Sequence, residues 1–392
     1  MITREEIREL AQFRPALTGS SAVSFYFQPR TPQNKSHREE AILAKDLVRT
    51  ALREAEKNGR NEGLRADLDR VQDMATNLRG NPARAKAIFA CCAENFWREF
   101  DLPPLLAGTQ LFVNQRFHLK PLATLLGAQP RVGVVLLNRQ RARFFDFRLE
   151  ELREREGLFH AVTRRGRSDG FAGYNGGRAA RGVADEVMHH FKNVAQRLKD
   201  EVESGSWEKL VVGCQDEHWP EFEAQLHPYA KQRLLGRFSA DVGIASADQI
   251  RDHVSRILRA ALSQRRSELV RQVISHAKGH SRGVTGLRRV LRALELGEVQ
   301  TLLIGDGYRA EAVECAGCGH LDAHLVKFCP LCGRATRTLD DIMDAVIPAA
   351  ICRDTEVFYI KDDPEFDRAG NVAALLRFRA DESKASRLRA AS

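Results

Sequence analysis

The sequence predicts a chain of mixed α/β and α+β type that folds into several domains. Its 392 residues exceed one ordinary core, since a domain typically holds about 100 to 200 residues. Hydrophobic residues make up 43% of the chain and charged residues 29%, which is enough apolar material for packed cores. Short apolar runs of strand type alternate with longer patterns of helical period. We therefore expect three domains, with limits at 1–128, 129–244 and 245–380.

The net charge of +9 and the pI near 9.3 favour an acidic partner such as nucleic acid. A solvated basic surface explains the same numbers equally well until the charges are located. No window approaches the ~18 apolar residues that a membrane-spanning helix needs. The segment Met1–Leu10 also lacks the apolar core of a signal peptide. We expect a cytoplasmic protein without membrane partners.

The first expected domain, residues 1–128, combines strands with a long helix. The helix begins near His37, where Ser36 and Glu39 form a capping box. Three runs of strand length accompany it: Ala22–Phe27, Lys86–Cys92 and Thr109–Asn114.

The second expected domain, residues 129–244, opens with a β-hairpin. Two apolar runs follow Gly133, and a tight polar turn at 138–140 joins them. A helix then starts near Arg178, and its apolar residues at helical spacing predict one buried face. These residues are Val183, Val187, Phe191, Val194 and Leu198. A strand at 210–213 and a helix at 219–233, broken at Pro228, complete the domain.

The third expected domain, residues 245–380, begins with a long helix capped by Ser246 and Gln249. That helix carries Ile250, Val254 and Ile257 at helical spacing. A second helix runs through 287–296 and ends at Gly297, and a buried strand follows at 301–304. The polar residues 381–392 are expected to form a solvated tail.

Four cysteines predict a structural zinc site. Cys315 and Cys318 form one pair, and Cys329 and Cys332 form another after ten intervening residues. Two residues inside each pair allow both thiolates to face one tetrahedral ion, and four thiolates close its coordination shell. The last domain is therefore expected to carry an inserted zinc ribbon at about 313–335. Four reduced core cysteines are the alternative reading of this spacing.

The other cysteines and the nearby histidines are not expected to bind the ion. His320 and His324 lie close to the pairs, but four thiolates leave no vacant position. Paired spacing beside scattered cysteines fits a reducing compartment rather than a disulfide framework. We expect core positions for the four scattered cysteines, Cys91, Cys92, Cys214 and Cys352.

Part of the positive charge of the chain lies in one basic, glycine-rich segment. Between Gly157 and Ala184 the single acidic residue is Asp169. Such a composition suits an arm that orders against phosphates and unpaired bases, although an ordinary surface loop has the same composition. The candidate RNA-binding residues are Arg164, Arg165, Arg167, Tyr174, Asn175, Gly176, Gly177, Arg178 and Arg181.

The same segment resembles the catalytic Gly-Gly-Gln loop, and the helix after it, of archaeo-eukaryotic release factors. Gly176 and Gly177 match the two glycines, whereas Arg178 stands where release factors have glutamine. The residues 283–304 are similar to the start of their C-terminal domain, in which archaeal members carry a zinc ribbon. The resemblance runs from Gly133 onward and includes Pelota and bacterial Balon-like hibernation factors, whose first domain is divergent.

This resemblance implies a factor that binds the ribosome and ribosomal RNA at the A site, in hibernation or rescue. Release factors use the glutamine to organise water against the peptidyl-tRNA ester, and Arg178 is an always-charged guanidinium. We therefore expect binding without peptide hydrolysis, with hydrolysis by a variant loop as the alternative. Delivery by a translational GTPase such as elongation factor Tu stays open. A zinc nuclease is disfavoured because the sequence has no clustered acidic residues for Mg²⁺.

Overall fold

The computed structural model describes residues 3–15, 21–29, 37–57, 62–77, 85–102, 108–127, 130–148, 150–159 and 175–379. The chain divides into two compact units. One unit contains residues 1–128 together with 265–392, and the other contains residues 129–264. The first and last expected domains thus fall in one unit rather than two, because their apolar side chains share a core.

A four-stranded antiparallel sheet forms the centre of the N-terminal residues. The described elements are α1 Arg4–Gln12, β1 Ala22–Phe27, α2 His37–Lys57, α3 Glu62–Thr76, β2 Ala85–Cys91, β3 Phe96–Leu102, β4 Gln110–Asn114 and α4 Lys120–Gly127. The strand order is β3-β2-β1-β4. All of β1 is buried because α2 and α3 cover one face and the core shared with the C-terminal residues covers the other.

The predicted strand at 22–27 and the helix start at His37 are confirmed. Ser36, the expected cap, lies outside the described residues. Cys91 and Cys214 are buried as expected, and Cys352 is half-buried. The core position expected for Cys92 is wrong, because this residue opens a short 3-10 turn after β2 and is exposed.

The second unit is a layered α/β structure with a five-stranded sheet. Its elements are β5 Val132–Leu137, β6 Arg141–Arg148, β7 Glu151–Phe159, α5 Asn175–Glu203, β8 Lys209–Gly213, α6 Trp219–Glu223, α7 Pro228–Lys231 and β9 Leu234–Phe238. The strand order is β7-β6-β5-β8-β9, with the predicted hairpin β5–β6 antiparallel and β5, β8 and β9 parallel. The expected break at Pro228 is the start of α7.

The long helix α8, Ala247–Lys278, belongs to both units of the chain. Its predicted cap is present, since Ser246 Oγ accepts from the Gln249 N–H at 3.3 Å and Gln249 Oε1 from the Ser246 N–H at 3.1 Å. Ile250 and Val254 pack in the core of the second unit, whereas Val273 packs in that of the first. The units therefore divide at 264/265, inside the helix, rather than at the expected 244/245.

A second four-stranded sheet and a small three-stranded ribbon complete the first unit. Their elements are β10 Gly283–Thr285, α9 Leu287–Glu295, β11 Val299–Gly305, β12 Ala312–Cys315, β13 Leu321–Asp322, β14 Thr336–Leu339, α10 Met343–Cys352, β15 Glu356–Ile360, α11 Pro364–Arg368 and β16 Val372–Leu376. The larger sheet has the order β10-β16-β11-β15, and the ribbon has the order β13-β12-β14. No described helix is both long and apolar enough to cross a bilayer.

Candidate metal centre and the helix after the glycine loop

The four predicted cysteines meet at one end of the ribbon. Cys315 is the last residue of β12, Cys318 follows in the adjacent turn, and Cys329 and Cys332 lie in the loop before β14. One cysteine of each pair is buried and the other is exposed. Within the described part of the chain, this is the one group of three or more metal-ligating side chains close enough to share an ion.

The spacing of the sulfurs fits a tetrahedral ion. All four Sγ atoms lie within 4.8 Å of one another. Cys315 Sγ is 3.3 Å from Cys332 Sγ, and Cys318 Sγ is 3.6 Å from Cys329 Sγ. A tetrahedral zinc with bonds of about 2.3 Å places its sulfurs about 3.8 Å apart. The four thiolates could therefore hold one metal ion such as zinc.

The two cysteine pairs repeat the same backbone turn. Gly319 N–H donates to the Cys315 carbonyl at 3.1 Å, and Gly333 N–H donates to the Cys329 carbonyl at 2.9 Å. The glycines have φ values of +72° and +73°, a region that only glycine adopts without strain. Both turns therefore favour glycine directly after the second cysteine of each pair.

Backbone N–H groups donate to two of the four sulfurs, those of Cys315 and Cys329. The N–H groups of Cys318 and Gly317 donate to Cys315 Sγ at 3.4 and 3.3 Å, and these bonds lower the pKa of the Cys315 thiol to about 6. On the other turn, Leu331 N–H donates to Cys329 Sγ at 3.4 Å. The turns thus supply positive dipole ends around a cluster that binds metal only as thiolate.

The two histidines beside the cluster have other partners. His320 Nδ1 bonds the Glu295 carboxylate, and His324 Nδ1 bonds Asp322 at 3.1 Å. Neither imidazole belongs to the group of converging ligands. Within the described residues, the converging group therefore consists of the four thiolates alone.

The ribbon has little apolar core of its own. Leu325, Phe328 and Leu331 are 61%, 66% and 71% exposed. A segment that buries so few large side chains needs another source of order, and a structural ion provides it in small cysteine ribbons.

A buried ion-pair network attaches the ribbon to the N-terminal residues. Glu314, which precedes the first cysteine, contacts the Arg116 guanidinium through Oε1. Its Oε2 accepts from Arg337 Nε and from a terminal nitrogen at 3.1 and 2.6 Å. No sequence pattern predicts this network, because Arg116 and Glu314 are 198 residues apart in the chain.

Part of the candidate RNA-binding segment lies outside the described residues. This part includes Arg164, Arg165, Arg167 and Tyr174. The remaining candidates, Asn175, Gly176, Gly177, Arg178 and Arg181, belong to the first two turns of α5. The helix thus begins at Asn175, slightly before the expected start near Arg178. The described strand before the segment, β7, ends at Phe159.

The rest of α5 is anchored on the sheet of the second unit. Val187, Phe191, Val194 and Leu198 are buried, as predicted, while the side chain of Val183 lies outside the described residues. Ala184 and Asp185 are exposed, so Val187 is the first described residue of the helix that enters the core. The twelve residues 175–186 span about 18 Å at 1.5 Å per residue.

Comparison with known proteins relates these features to translation factors. A model of bacterial archaeo-eukaryotic release factor family 10 matches residues 118–259. Peptide chain release factor subunit 1 of Pyrococcus abyssi is 24% identical, over 96% of this chain and 97% of that protein. Its counterpart in Thermococcus sibiricus is 25% identical, over 71% and 74%. The structure of Archaeoglobus fulgidus Pelota aligns at 13% identity with a TM-score of 0.34, over 76% and 80%.

The family match covers the hairpin, the glycine-rich segment and α5, which carry the resemblance seen in the sequence. The Pyrococcus relative extends the similarity along nearly the whole chain. Residues 118–259 thus resemble a bacterial family of archaeo-eukaryotic release factors, and nearly the whole chain is similar in sequence to an archaeal release factor subunit.

Proposed function

We propose that this protein is a cytoplasmic ribosome-binding factor that occupies the A site without hydrolysing peptidyl-tRNA, and that it acts in ribosome hibernation or rescue. Two relatives are named peptide chain release factor subunit 1, which supports a role in translation. The segment matched by the family model, 118–259, includes the glycine-rich residues that resemble the loop by which release factors act on the ester.

The observation that carries the proposal is Arg178 in the first turn of α5, directly after Gly176 and Gly177. A guanidinium has five N–H donors and no acceptor, and it stays protonated at neutral pH. It can bind phosphates or base edges, but it cannot accept a proton from an attacking water. A residue of this kind suits binding to RNA better than hydrolysis of an ester.

The basic residues around Arg178 supply the affinity in this account. Five arginines lie between Gly157 and Ala184, against the single Asp169. Arg178 and Arg181 belong to α5, and the buried face of this helix from Val187 to Leu198 packs on the sheet. Phosphate neutralisation by these arginines releases counterions and makes binding dependent on salt.

Zinc has a structural role in the proposal. Cys315, Cys318, Cys329 and Cys332 fill the four positions of a tetrahedral ion, so no position is left for substrate or activated water. The ion would order the ribbon, and its thiolates would perform no chemistry. The proposal allows for delivery by a translational GTPase but does not depend on such a partner.

Peptidyl-tRNA hydrolysis is the second candidate function. The retention of Gly176 and Gly177 favours it, since these glycines permit close approach of the backbone to RNA. A binding arm has the same requirement, however. The glycines therefore do not distinguish the two functions, whereas Arg178 does.

Ribosome co-sedimentation over a series of salt concentrations tests the binding part. Replacing Arg164, Arg165 and Arg167 together with alanine should weaken binding and reduce the salt slope by about 0.7 to 0.9 per lost phosphate contact. A matched control replaces three exposed arginines elsewhere, Arg53, Arg288 and Arg289, and should leave the slope unchanged. Equal slopes for the unmodified protein and the loop variant would contradict the proposal.

A further inference from the structure

A cavity of about 380 Å³, partly open to solvent, lies in the first unit between the N-terminal residues and the C-terminal elements. Ala11 of α1 and Ala349 of α10 line two of its walls, and Leu291 of α9 lines a third. Gly319 and Leu321 of the ribbon line the remaining side. The volume falls within the range of about 300 to 1,000 Å³ that small-molecule sites occupy.

The charged residues of the cavity leave an excess of positive charge. Arg14, Arg116 and Arg353 line it, together with Glu295 and Glu314. Both carboxylates are already engaged. Glu314 is bound between two guanidinium groups, and Glu295 accepts from Leu321 N–H at 3.3 Å and bonds His320.

Two of these arginines have no carboxylate within ion-pair distance among the described residues. Arg14 donates to the carbonyls of Ala11 and Phe13 at 3.0 and 2.8 Å, and Arg353 donates to that of Ala349 at 3.3 Å. Partial burial and the neighbouring charge of Arg116 lower the pKa of Arg14. Arg14 and Arg353 thus lie on this wall without a direct carboxylate partner, and Glu314 acts on Arg14 only at longer range.

Arg116 is the third guanidinium on the wall of the cavity. Its side chain is 8% exposed and its terminal nitrogen contacts Glu314, yet its Nε is buried without a hydrogen-bond partner. Buried donors on charged groups are almost always satisfied by protein, water or a bound ion. Because that Nε is inaccessible even to a water molecule, it does not face the cavity, and Arg116 adds only its positive charge to the wall.

We propose that this cavity binds a small amphipathic anion, with a phosphate head group and a compact apolar body. A phosphate dianion offsets the two unpaired charges of Arg14 and Arg353, and its oxygens match the planar fork of a guanidinium. The apolar body lies against Leu291, Leu294 and Ala345, which line the same space. This site is separate from the glycine-rich segment and does not depend on the proposed ribosomal role.

Isothermal titration calorimetry with phenyl phosphate tests the site on the full chain at constant ionic strength and neutral pH. Phenyl phosphate should bind at one site, about tenfold or more tightly than inorganic phosphate, because only the former fills the apolar wall. Phenol, which lacks the head group, should not bind. Equal affinities for phenyl phosphate and inorganic phosphate would overturn the proposal, as would the absence of binding, which would assign the space to water.

Variants locate the binding in the cavity. Arg14→Ala and Arg353→Ala remove guanidinium groups that hold no carboxylate, so they should leave the fold intact and weaken binding by about tenfold each. Ala349→Leu keeps every charge but fills the cavity and should abolish binding. Arg289→Ala, an exposed residue on α9, is the control and should bind as the unmodified protein does. Unchanged binding in the first three variants would contradict the assignment.

Discussion

The sulfur atoms of Cys315 and Cys332 lie 3.3 Å apart although the residues are 17 positions apart in the chain. Two separate turns, each closed by a glycine with positive φ, bring them together. The large apolar residues beside them remain exposed, so burial contributes little to this arrangement. The order of the ribbon should therefore depend on a bound ion.

Replacing Cys329 with serine should release that ion. The unmodified protein is expected to carry one zinc per chain, and Cys329→Ser is expected to lose most of it because one thiolate is missing from the shell. Elemental analysis measures the metal, and amide hydrogen exchange should show faster exchange in residues 312–339. Cys92→Ser, at an exposed cysteine outside the cluster, should retain the metal. Protein purified without chelator that contains no zinc would refute this assignment.

Gly133→Ala should destabilise the second unit by about 3 kcal/mol, as expected for overpacking against a rigid ring. A Cβ at this position would lie 2.1 Å from Cδ2 of Trp207. The indole cannot easily retreat, since it is buried and its Nε1 donates to Asp146 at 2.7 Å. Chemical denaturation followed by tryptophan fluorescence measures the loss. Gly108→Ala, which meets no atom within 4 Å, should have little effect, and equal stabilities for the two variants would contradict this packing.

Glu314→Gln should loosen the attachment of the ribbon to the N-terminal residues. The carboxylate is 6% exposed and faces Arg116 and Arg337, so removing its charge leaves Arg116 as an unpaired buried cation. Breaking a buried pair in this way typically costs about 3 kcal/mol or more. Thermal or chemical unfolding measures the cost, and exposed Glu311→Gln is the matched control. A loss no greater than that of the control would show that the network contributes little.

Local patterns predicted much of this fold. The apolar run Ala22–Phe27 and the helical spacing from Val187 to Leu198 identified buried elements correctly, because every position needed for the pattern is local in sequence. The strand β7, Glu151–Phe159, was missed because its charged residues resemble a polar loop, and the structure shows that most of its side chains are exposed. The helix α3 and the strand β3 were also not predicted, because their charged and apolar residues do not recur with a clear period.

Contacts between residues that are far apart in the chain were harder to predict from the sequence. The four cysteines could be assigned to one site because two short, regular spacings define it. By contrast, no local sequence pattern predicts the core that the N-terminal and C-terminal residues share. The capped start of α8 resembles a domain boundary in the sequence, but the helix continues and packs in two cores. The contact between Arg116 and Glu314 and the cavity beside it depend on that same shared core.

Arg178 carries the central claim, since the proposal places it, after Gly176 and Gly177, where release factors have the glutamine that they use for hydrolysis. Arg178→Ala should lower ribosome affinity by removing a phosphate-binding guanidinium, and it should leave the rate of peptide release at background. Arg178→Gln alone should not produce a robust release factor, because the surrounding segment also differs from that of release factors.

The most direct test is a peptide-release assay on stalled ribosomes that carry a labelled nascent chain. The unmodified protein, added at concentrations that saturate binding, should leave the nascent chain attached to its tRNA. Arg178→Ala should give the same background rate, and an archaeal release factor serves as the positive control for ester hydrolysis. Release by the unmodified protein well above background, abolished by Arg178→Ala, would contradict the account and establish a hydrolytic factor.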